Sequence, residues 1–350
     1  MNATNKGNDM TMINGAIVGL GRMGLTHLAI LNTHPAVRKL SVVDSSSCLG
    51  KAVEKNLGLS FYPDVAALLD KARPDFMIVA TPTSSHSAIA RAAIEKGVHV
   101  FIEKPLSMSA KDSASLAQLA VSHGVVAQVG YVNRFNEIFQ AVRALIQSGE
   151  LGPVTHAACE IRSPMVMKTT ESGWRSKGSE GGGCLSDIAT HAVDLLNYFV
   201  GSPKGVIGAS LQSLVSKGVE DRVDVLLDYD GFRGTLHVNW SDASCRKPAY
   251  RINIETSKGR IVADQHAYKV FRCESAGRHR VNAWNTVYIT DIAQPVRMYV
   301  RGNEFTRQLD YFIDSVILNR TKGISGFDSA MEVDRVIEGI RQAECTARAI

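Results

Sequence analysis

Short apolar runs alternate with amphipathic segments along the first part of the chain. INGAIV (13–18) and FMIV (76–79) have the length and composition of buried strands. The segments between such runs place their apolar residues at helical spacing. Because strict alternation of strands and helices builds a parallel sheet covered on both faces, residues 12–130 are predicted to form a doubly wound α/β domain, a Rossmann fold.

The predicted elements of this domain follow one another through short loops. Strands are expected at 13–18, 39–43, 76–79, 98–102 and 125–129, and helices at 25–34, 48–57, 64–71, 86–96 and 109–123.

The pattern changes after Gly149. A helix at 134–148 leads into segments rich in Val, Thr, Tyr and Ile, with turns such as the one ending at Gly231. Residues 131–350 are therefore predicted to form an α+β substrate and oligomerisation domain with one large, mainly antiparallel open sheet. The expected strands are 154–162, 206–216, 222–229, 233–241, 249–255, 260–264, 268–273, 285–291 and 296–300.

Other features of the second half concern its loops and its end. The polar, glycine-rich stretch 163–183 is expected to form a mobile loop over the site. Helices are predicted at 303–319 and 328–346, and the last is expected to pack back on the first domain.

Composition excludes several classes of protein. The 350 residues are 45% hydrophobic and 21% charged, with a net charge of +5 and no dense basic run, so nucleic acid is not an expected partner. No run of 18 apolar residues occurs, and the polar N-terminal segment 1–11 is expected to be a disordered tail rather than a signal peptide. The six scattered cysteines indicate neither disulfides nor a metal site, and a reducing cytoplasm is the expected location.

The first strand runs directly into a glycine-rich turn, GLGRMG, and then into a helix. Gly19 permits the tight turn, Gly21 lets the backbone approach a pyrophosphate, and Gly24 allows close packing of helix on strand. The free N–H groups at the helix N-terminus favour phosphate binding. We therefore predict a dinucleotide site that also includes Arg22 and Met23.

The second strand ends at Asp44, twenty residues beyond Gly24. A carboxylate at this position accepts hydrogen bonds from the adenosine ribose and repels a 2′-phosphate. Since no arginine follows in the next three residues, NAD is favoured over NADP as the cofactor. The alternative is a glycine turn in an unrelated α/β protein.

The third strand in this order carries further candidate cofactor residues. Thr81 and Pro82 follow it at the carboxyl edge of the sheet, where ligands of α/β proteins bind, and they are expected to line the nicotinamide ribose. His86 starts the next helix. It is either a cofactor contact or a residue that contacts backbone or solvent.

The next strand ends in Glu103, Lys104 and Pro105. Because proline disfavours helix at the residue before it, Lys104 is expected at the strand end, directed into the crevice. Glu103 is expected beside the cofactor. The alternative is a surface turn with a solvated Glu-Lys pair.

A second group of polar residues lies in the segment GGGCLSDIATHAVDLLNYF. Asp187 and His191 are four residues apart, so in an α-helix they share one face, and the carboxylate is expected to orient the imidazole and raise its pKa. His191 is then a candidate base for a substrate hydroxyl, with Lys104 stabilising the developing negative charge. The alternatives are a buried structural histidine and a solvated helix face. A metal site is disfavoured, and Asp194 is expected to support the helix.

These motifs together resemble those of the glucose-fructose oxidoreductase/inositol dehydrogenase (Gfo/Idh/MocA) family. The resemblance covers nearly the whole chain and rests on GLGRMG with Asp44, on Glu103-Lys104-Pro105, on Gly130-Tyr131 with Asn133-Arg134-Phe135, and on the Asp187, His191 and Asp194 helix. It implies a Rossmann domain followed by a mixed domain whose open sheet forms homodimers or homotetramers.

The resemblance also implies roles for individual residues. Lys104, Asp187 and His191 match the family's catalytic lysine, aspartate and histidine. The expected substrate residues are Tyr131, Arg134, Arg162, Trp174 and Arg175, although the long loop here leaves the substrate open.

The implied activity is NAD-dependent oxidation of a sugar, cyclitol or sugar derivative. The basic residues Arg162, Lys168, Arg175 and Lys177 would suit a phosphate or carboxylate on the substrate, or are simply solvated. Two alternatives stay open: a glycosidase that works by transient oxidation with tightly held NAD, and a non-enzymatic regulator that senses dinucleotides.

Overall fold

The fold is taken from a computed structural model. It describes residues 11–166, 173–273 and 283–348, with side chains as far as residue 344. Residues 1–10 of the predicted tail, and Lys168, lie outside the described residues.

The first half forms a six-stranded parallel sheet in the order β3-β2-β1-β4-β5-β6. This is the strand order of a dinucleotide-binding Rossmann fold, so the predicted fold class is confirmed. The sequence pattern did not reveal β3, which has only three residues. The strands are β1 Ile13–Val18, β2 Val37–Val43, β3 Ser60–Tyr62, β4 Phe76–Val79, β5 His99–Ile102 and β6 Ala127–Val129; the helices are α1 Arg22–Leu31, α2 Ser47–Leu57, α3 Val65–Lys71, α4 His86–Glu95 and α5 Ala110–His123.

The second half forms an eight-stranded sheet in the order β14-β13-β12-β11-β7-β10-β9-β8. All neighbouring strands are antiparallel except β7 and β10, so the prediction of a mainly antiparallel sheet is confirmed. The strands are β7 Val154–Arg162, β8 Gly205–Gln212, β9 Arg222–Asp228, β10 Arg233–Asn239, β11 Ala249–Thr256, β12 Gly259–Ala263, β13 Ala267–Arg272 and β14 Trp284–Tyr288.

Three strand predictions in this half were wrong, two in part and one entirely. The strand expected at 285–291 ends at Tyr288, because a short helix begins at Ile289. The strand expected at 206–216 ends at Gln212, because one carboxylate oxygen of Asp221 accepts the N–H groups of residues 214–216 and draws them into a turn. No strand forms at 296–300. There the side chain of Arg297 donates to the Ile30 carbonyl, and the Met298 carbonyl accepts from the Thr306 hydroxyl instead.

Most of the remaining helices pack on one face of the second sheet, whereas the helix at 303–317 packs on the first sheet through Leu309 and Phe312. These helices are α6 Glu137–Gln147, α7 Thr190–Val200, α8 Ile289–Ile292, α9 Asn303–Ile317 and α10 Phe327–Arg348. On β7, Ala157, Cys159 and Ile161 are buried towards the helices, whereas the alternate residues are not. The predicted helix at 134–148 begins later, at Glu137, because Asn136 caps it after a 3₁₀ turn over 132–135.

Helix α10 packs on both halves of the molecule, against α5 and β6 of the first and against α7 and β8 of the second. The Asp334 carboxylate accepts from the Ser113 hydroxyl at 2.5 Å, and Glu338 accepts from the Ala110 N–H at 3.1 Å. These contacts hold the carboxyl edge of the first sheet facing the start of α7. None of the helices in the described part of the chain combines the length and apolar character needed to cross a membrane.

Candidate functional site

The glycine turn leaves an open space at the N-terminus of α1. Gly19 has φ +92°, and a Cβ on it would lie 2.7 Å from the Ala80 carbonyl oxygen. A Cβ on Gly24 would lie 1.8 Å from the Gly19 carbonyl oxygen, whereas one on Gly21 would meet nothing within 4 Å. Two of the glycines therefore serve close packing, and the third faces free space. This arrangement fits the diphosphate of a dinucleotide, as predicted.

Asp44 lies beside this turn at the end of β2. Its two carboxylate oxygens accept the N–H groups of Leu20 at 2.6 Å and Ser46 at 2.7 Å. The side chain thus ties the glycine turn to the next loop and keeps its remaining lone pairs towards the ribose position, which suits NAD. Arg22 and Met23 begin α1 next to it, and Arg22 is exposed.

His86 is fully buried, and both ring nitrogens are engaged. Nδ1 lies 2.9 Å from the Pro105 carbonyl oxygen and Nε2 lies 3.0 Å from that of Thr81. Burial lowers its pKa, and the two backbone carbonyl contacts oppose that effect. Of the two interpretations left open, the structure supports the backbone contact: His86 joins the ends of β4 and β5, while Thr81 and Pro82 remain partly accessible at the edge.

Glu103 lies under this edge and is held by a residue that sequence reasoning missed. The His27 Nε2 atom, on α1, is 2.7 Å from one Glu103 carboxylate oxygen. Burial would raise the pKa of Glu103, but His27, Lys104 and His191 together lower it. The only signal for His27 was a histidine three residues after Gly24 in an otherwise apolar helix stretch.

Asp187 is bound by two cations from separate parts of the chain. Lys104 Nζ lies 2.5 Å from Oδ1 and 2.6 Å from the Asp187 carbonyl oxygen, and Arg175 Nε lies 2.7 Å from Oδ2. Burial alone would raise the pKa of this carboxyl group, but the two cations hold it well below its usual range. Lys104 and Asp187, predicted as a catalytic pair, are thus brought together.

The predicted contact from Asp187 to His191 does not form. Residues 185–189 make a π-helical turn, which is wider than an α-helical turn, so residues four apart no longer align on one face. The Asp187 oxygens go to Lys104 and Arg175 instead.

His191 consequently has a lowered pKa rather than the raised one expected. Burial and the positive charge of Lys104 lower it to about 3. Nδ1 is buried without a hydrogen-bond partner, while the ring as a whole is partly exposed. His191 is therefore neutral at pH 7 and able to accept a proton at Nε2.

Family models match both halves of this arrangement. The model for the oxidoreductase family with an NAD-binding Rossmann fold matches residues 13–131, and the model for the GFO/IDH/MocA C-terminal domain matches residues 139–262. The chain belongs to this family. Membership confirms the resemblance inferred from the motifs and supports NAD as the cofactor.

Several curated relatives show how far the Gfo/Idh/MocA likeness extends. The chain is 28% identical to a scyllo-inositol 2-dehydrogenase (NAD(+)) of Bacillus subtilis, over 53% of this chain and only 54% of the relative. It is 23% identical to a 2,7-anhydro-N-acetylneuraminate hydratase of Mediterraneibacter gnavus, over 97% and 92%.

Solved structures match over almost the full length. A levoglucosan dehydrogenase in complex with NADH and L-sorbose superposes with a TM-score of 0.84 at 20% identity, covering 95% of this chain and 97% of the other. GenD2 from gentamicin A biosynthesis, in complex with NAD, gives 0.80 at 26% identity, over 99% and 98%. The fold of this Gfo/Idh/MocA member is thus found in full-length homologous structures.

The predicted substrate residues are placed unequally around the site. Tyr131 is fully buried, with its ring edge-on to that of His191 at 6.4 Å between centroids. Trp174 and Arg175 form a short turn above Asp187, with the Arg175 guanidinium 4.5 Å from the Trp174 ring centre. Tyr131 thus lies beside His191, and Arg175, with Trp174 next to it, lies beside Asp187.

Arg134 is not among the residues brought together there. It is buried and bonded to the Asp194 carboxylate at 2.6 Å, the Ile324 carbonyl at 2.5 Å and the Ser329 hydroxyl at 3.0 Å. Burial raises the pKa of Asp194 to about 6, against the opposing effect of Arg134. The pair is a buried cross-link between α7 and the segment around the start of α10, and these contacts engage most of the Arg134 donors.

Arg162 makes none of its ion pairs or hydrogen bonds with Lys104, Asp187 or His191 among the described residues. It ends β7 on the face opposite α7, where it is exposed and paired with Glu160 and Asp242. The described residues contain no group of three or more His, Cys, Asp or Glu side chains that could hold a metal ion.

Proposed function

We propose that this protein oxidises a secondary hydroxyl group of a sugar, cyclitol or sugar derivative, with NAD as the electron acceptor. The arrangement of Lys104, Asp187 and His191 at the carboxyl edge of the Rossmann sheet carries this proposal. A neutral imidazole and a held ammonium group meet beside the dinucleotide site. Alcohol oxidation needs a proton acceptor and a cation of this kind.

The roles of the residues follow from their contacts. His191 accepts the hydroxyl proton at Nε2, and Lys104 stabilises the negative charge that develops on the oxygen. Asp187 holds Lys104, and Arg175 holds Asp187 from the other side. Tyr131 packs against the imidazole ring and limits its rotation. NAD, when bound, supplies the hydride acceptor.

The proposal is tested by NADH formation with the purified full chain and a panel of cyclitols, free sugars, sugar acids and sugar phosphates. We expect turnover with one substrate class, lost by at least about a hundredfold in His191→Ala, as for removal of a general base. His123→Ala, on the exposed end of α5, is the matched control and should retain activity. Equal turnover in His191→Ala would contradict the assigned base.

One relative favours a second candidate, a reaction with no net oxidation. The match over 97% of the chain is to a protein named as a hydratase rather than a dehydrogenase. A redox-neutral enzyme would use the same residues to oxidise the substrate transiently and then reduce it again. Product analysis separates the two, since converted substrate without accumulated NADH would favour the redox-neutral reaction.

The predicted homodimer or homotetramer is part of the same proposal. The outward face of the second sheet carries exposed Ile207, Leu226 and Trp284, and exposed apolar groups on an open sheet favour contact with a second copy. Sedimentation of the full chain as a monomer at micromolar concentration would contradict it.

A further inference from the structure

Two arginines from distant segments, Arg175 and Arg301, act electrostatically on Arg22 at the glycine turn. Arg22 begins α1, Arg175 lies in the turn above Asp187, and Arg301 comes just before α9. Burial, followed by the charges of Arg301 and Arg175, lowers the pKa of Arg22. Within the described part of the chain, the structure gives neither Arg22 nor Arg301 a hydrogen bond or ion pair to a carboxylate. Of the three, only Arg175 is held by a carboxylate, that of Asp187.

Arg301 is brought there by contacts along α1. Arg297 donates to the Ile30 carbonyl and to the Thr33 hydroxyl, both at 2.9 Å, near the C-terminal end of α1. Helix α9, which follows this segment, packs against α1. The Thr306 hydroxyl donates to the Met298 carbonyl at 2.6 Å and holds the path of the segment.

The side chain of Arg301 is positioned by an aromatic ring on α9. Its guanidinium lies 5.6 Å from the centre of the Phe305 ring, within the range of a cation–π contact. The side chain is exposed, so its planar fork of donors remains available to a ligand.

We propose that Arg301 is a phosphate-binding residue of the dinucleotide site, and that with Arg22 and Arg175 it binds the diphosphate of NAD. The diphosphate of a bound dinucleotide lies at the N-terminus of α1, where Arg22 stands and where Gly21 faces open space. Its negative charge would neutralise Arg22 and Arg301, which have no hydrogen-bonded carboxylate partner among the described residues. The inference rests on the cofactor of the proposed function and not on its substrate.

The cluster also connects the cofactor to the catalytic group. Arg175 binds Asp187 through Nε, and Asp187 binds Lys104. The two terminal nitrogens of Arg175 have no such contact to Asp187 and can face the diphosphate. Cofactor binding is therefore expected to hold the Trp174–Ser176 turn in place above the site before the substrate arrives.

The test is ligand binding to Arg301→Gln without turnover. We expect the Kd values for NADH and ADP-ribose to rise about tenfold, the loss expected for one charge-assisted hydrogen bond, with adenosine binding unchanged. The dependence of ADP-ribose affinity on salt should also weaken, because one cation is lost. Arg301→Lys keeps the positive charge but lacks the planar guanidinium group. Its Kd for ADP-ribose should lie between those of the wild type and Arg301→Gln.

Arg320→Gln is the matched control, because Arg320 is also exposed and lies over an aromatic ring, that of Tyr311, beyond the other end of α9. It should bind all three ligands as the wild type does. Wild-type ADP-ribose affinity in Arg301→Gln would overturn the inference. So would an unchanged NADH affinity with a raised KM for an anionic substrate, which would assign the cluster to the substrate. Weaker ADP-ribose binding in this variant supports it even where no sugar on the panel reacts.

Discussion

Asp187 shows how much of this site depends on single contacts between segments. Its two oxygens are shared between Lys104 and Arg175, which lie 83 and 12 residues away in the chain. This sharing keeps the carboxylate ionised, and at His191 the pKa-lowering effects of burial and Lys104 outweigh the raising effects of Asp187 and Glu103. A neutral histidine beside a fixed ammonium group is the result, and it is the protonation state that base catalysis requires.

The protonation of His191 gives the first prediction at this scale. Because burial and Lys104 lower its pKa to about 3, the ring should not titrate in NMR spectra between about pH 5 and 8. Its folded pKa lies below the unfolded value, so this group removes stability progressively as pH falls from about 6.5 towards 3. In Lys104→Met the pKa should rise, since one cation is gone. A wild-type resonance with a midpoint near 6.5 would contradict the assignment.

At the scale of elements, two departures from regular helix and strand shape the site. The π-helical turn at 185–189 moves Asp187 away from the face of His191 and towards Lys104. The glycine turn brings the start of α1 against the end of β1. In both places the backbone, rather than a side-chain motif, decides which polar groups can meet.

Gly21 and Gly24 should respond differently to replacement by alanine. Gly24→Ala places a Cβ 1.8 Å from the Gly19 carbonyl oxygen, so we expect a loss of about 1–3 kcal/mol in the free energy of unfolding. Gly21→Ala meets no neighbour, and its stability should change by less than about 0.5 kcal/mol.

NADH binding separates the two variants further. The methyl group of Gly21→Ala occupies the space assigned to the diphosphate, so its NADH affinity should fall by about tenfold or more. Urea unfolding and NADH titration of both proteins give the comparison. Equal stability losses would show that the close packing at Gly24 is not specific.

At the scale of the whole molecule, α10 joins the two halves through carboxylates placed at the start of α5. Asp334 is buried and accepts from Ser113 and from the Ser107 N–H, and it borders a cavity of about 270 Å³ that Pro105 and Ser186 also line. The neighbours of these last two residues are Lys104 and Asp187. The junction between the two halves therefore adjoins Lys104 and Asp187.

This junction predicts a pH dependence of stability. Burial raises the pKa of Asp334 to about 7, despite its hydrogen bonds from Ser113 and Ser107. The folded state thus binds the proton more tightly than the unfolded state, and stability contributed by the protonated group is lost as pH rises from about 4 through 7. Asp334→Asn cannot ionise, and its amide oxygen can still accept from Ser113.

We therefore compare the free energies of unfolding of Asp334→Asn and the wild type by urea unfolding. The difference, variant minus wild type, should increase by about 2–3 kcal/mol between pH 5 and about pH 7.5. Asp328→Asn, an exposed position in the first turn of the same helix, is the control. If the difference in the free energy of unfolding between the wild type and Asp334→Asn stays constant across this pH range, the raised pKa of Asp334 is refuted.

The sequence by itself determined the class and order of most elements, because hydrophobic periodicity follows from local geometry and Gly19, Gly21 and Gly24 have a local function in one turn. It also placed Lys104 at a strand end, since the constraint from Pro105 acts on the adjacent residue. The tertiary structure alone decided that Asp187 binds Lys104 and Arg175, that Glu103 binds His27, that Arg134 is a buried cross-link, and that Arg297 binds α1. These contacts join residues far apart in the chain, and their partners are selected by packing and burial, which no local pattern encodes.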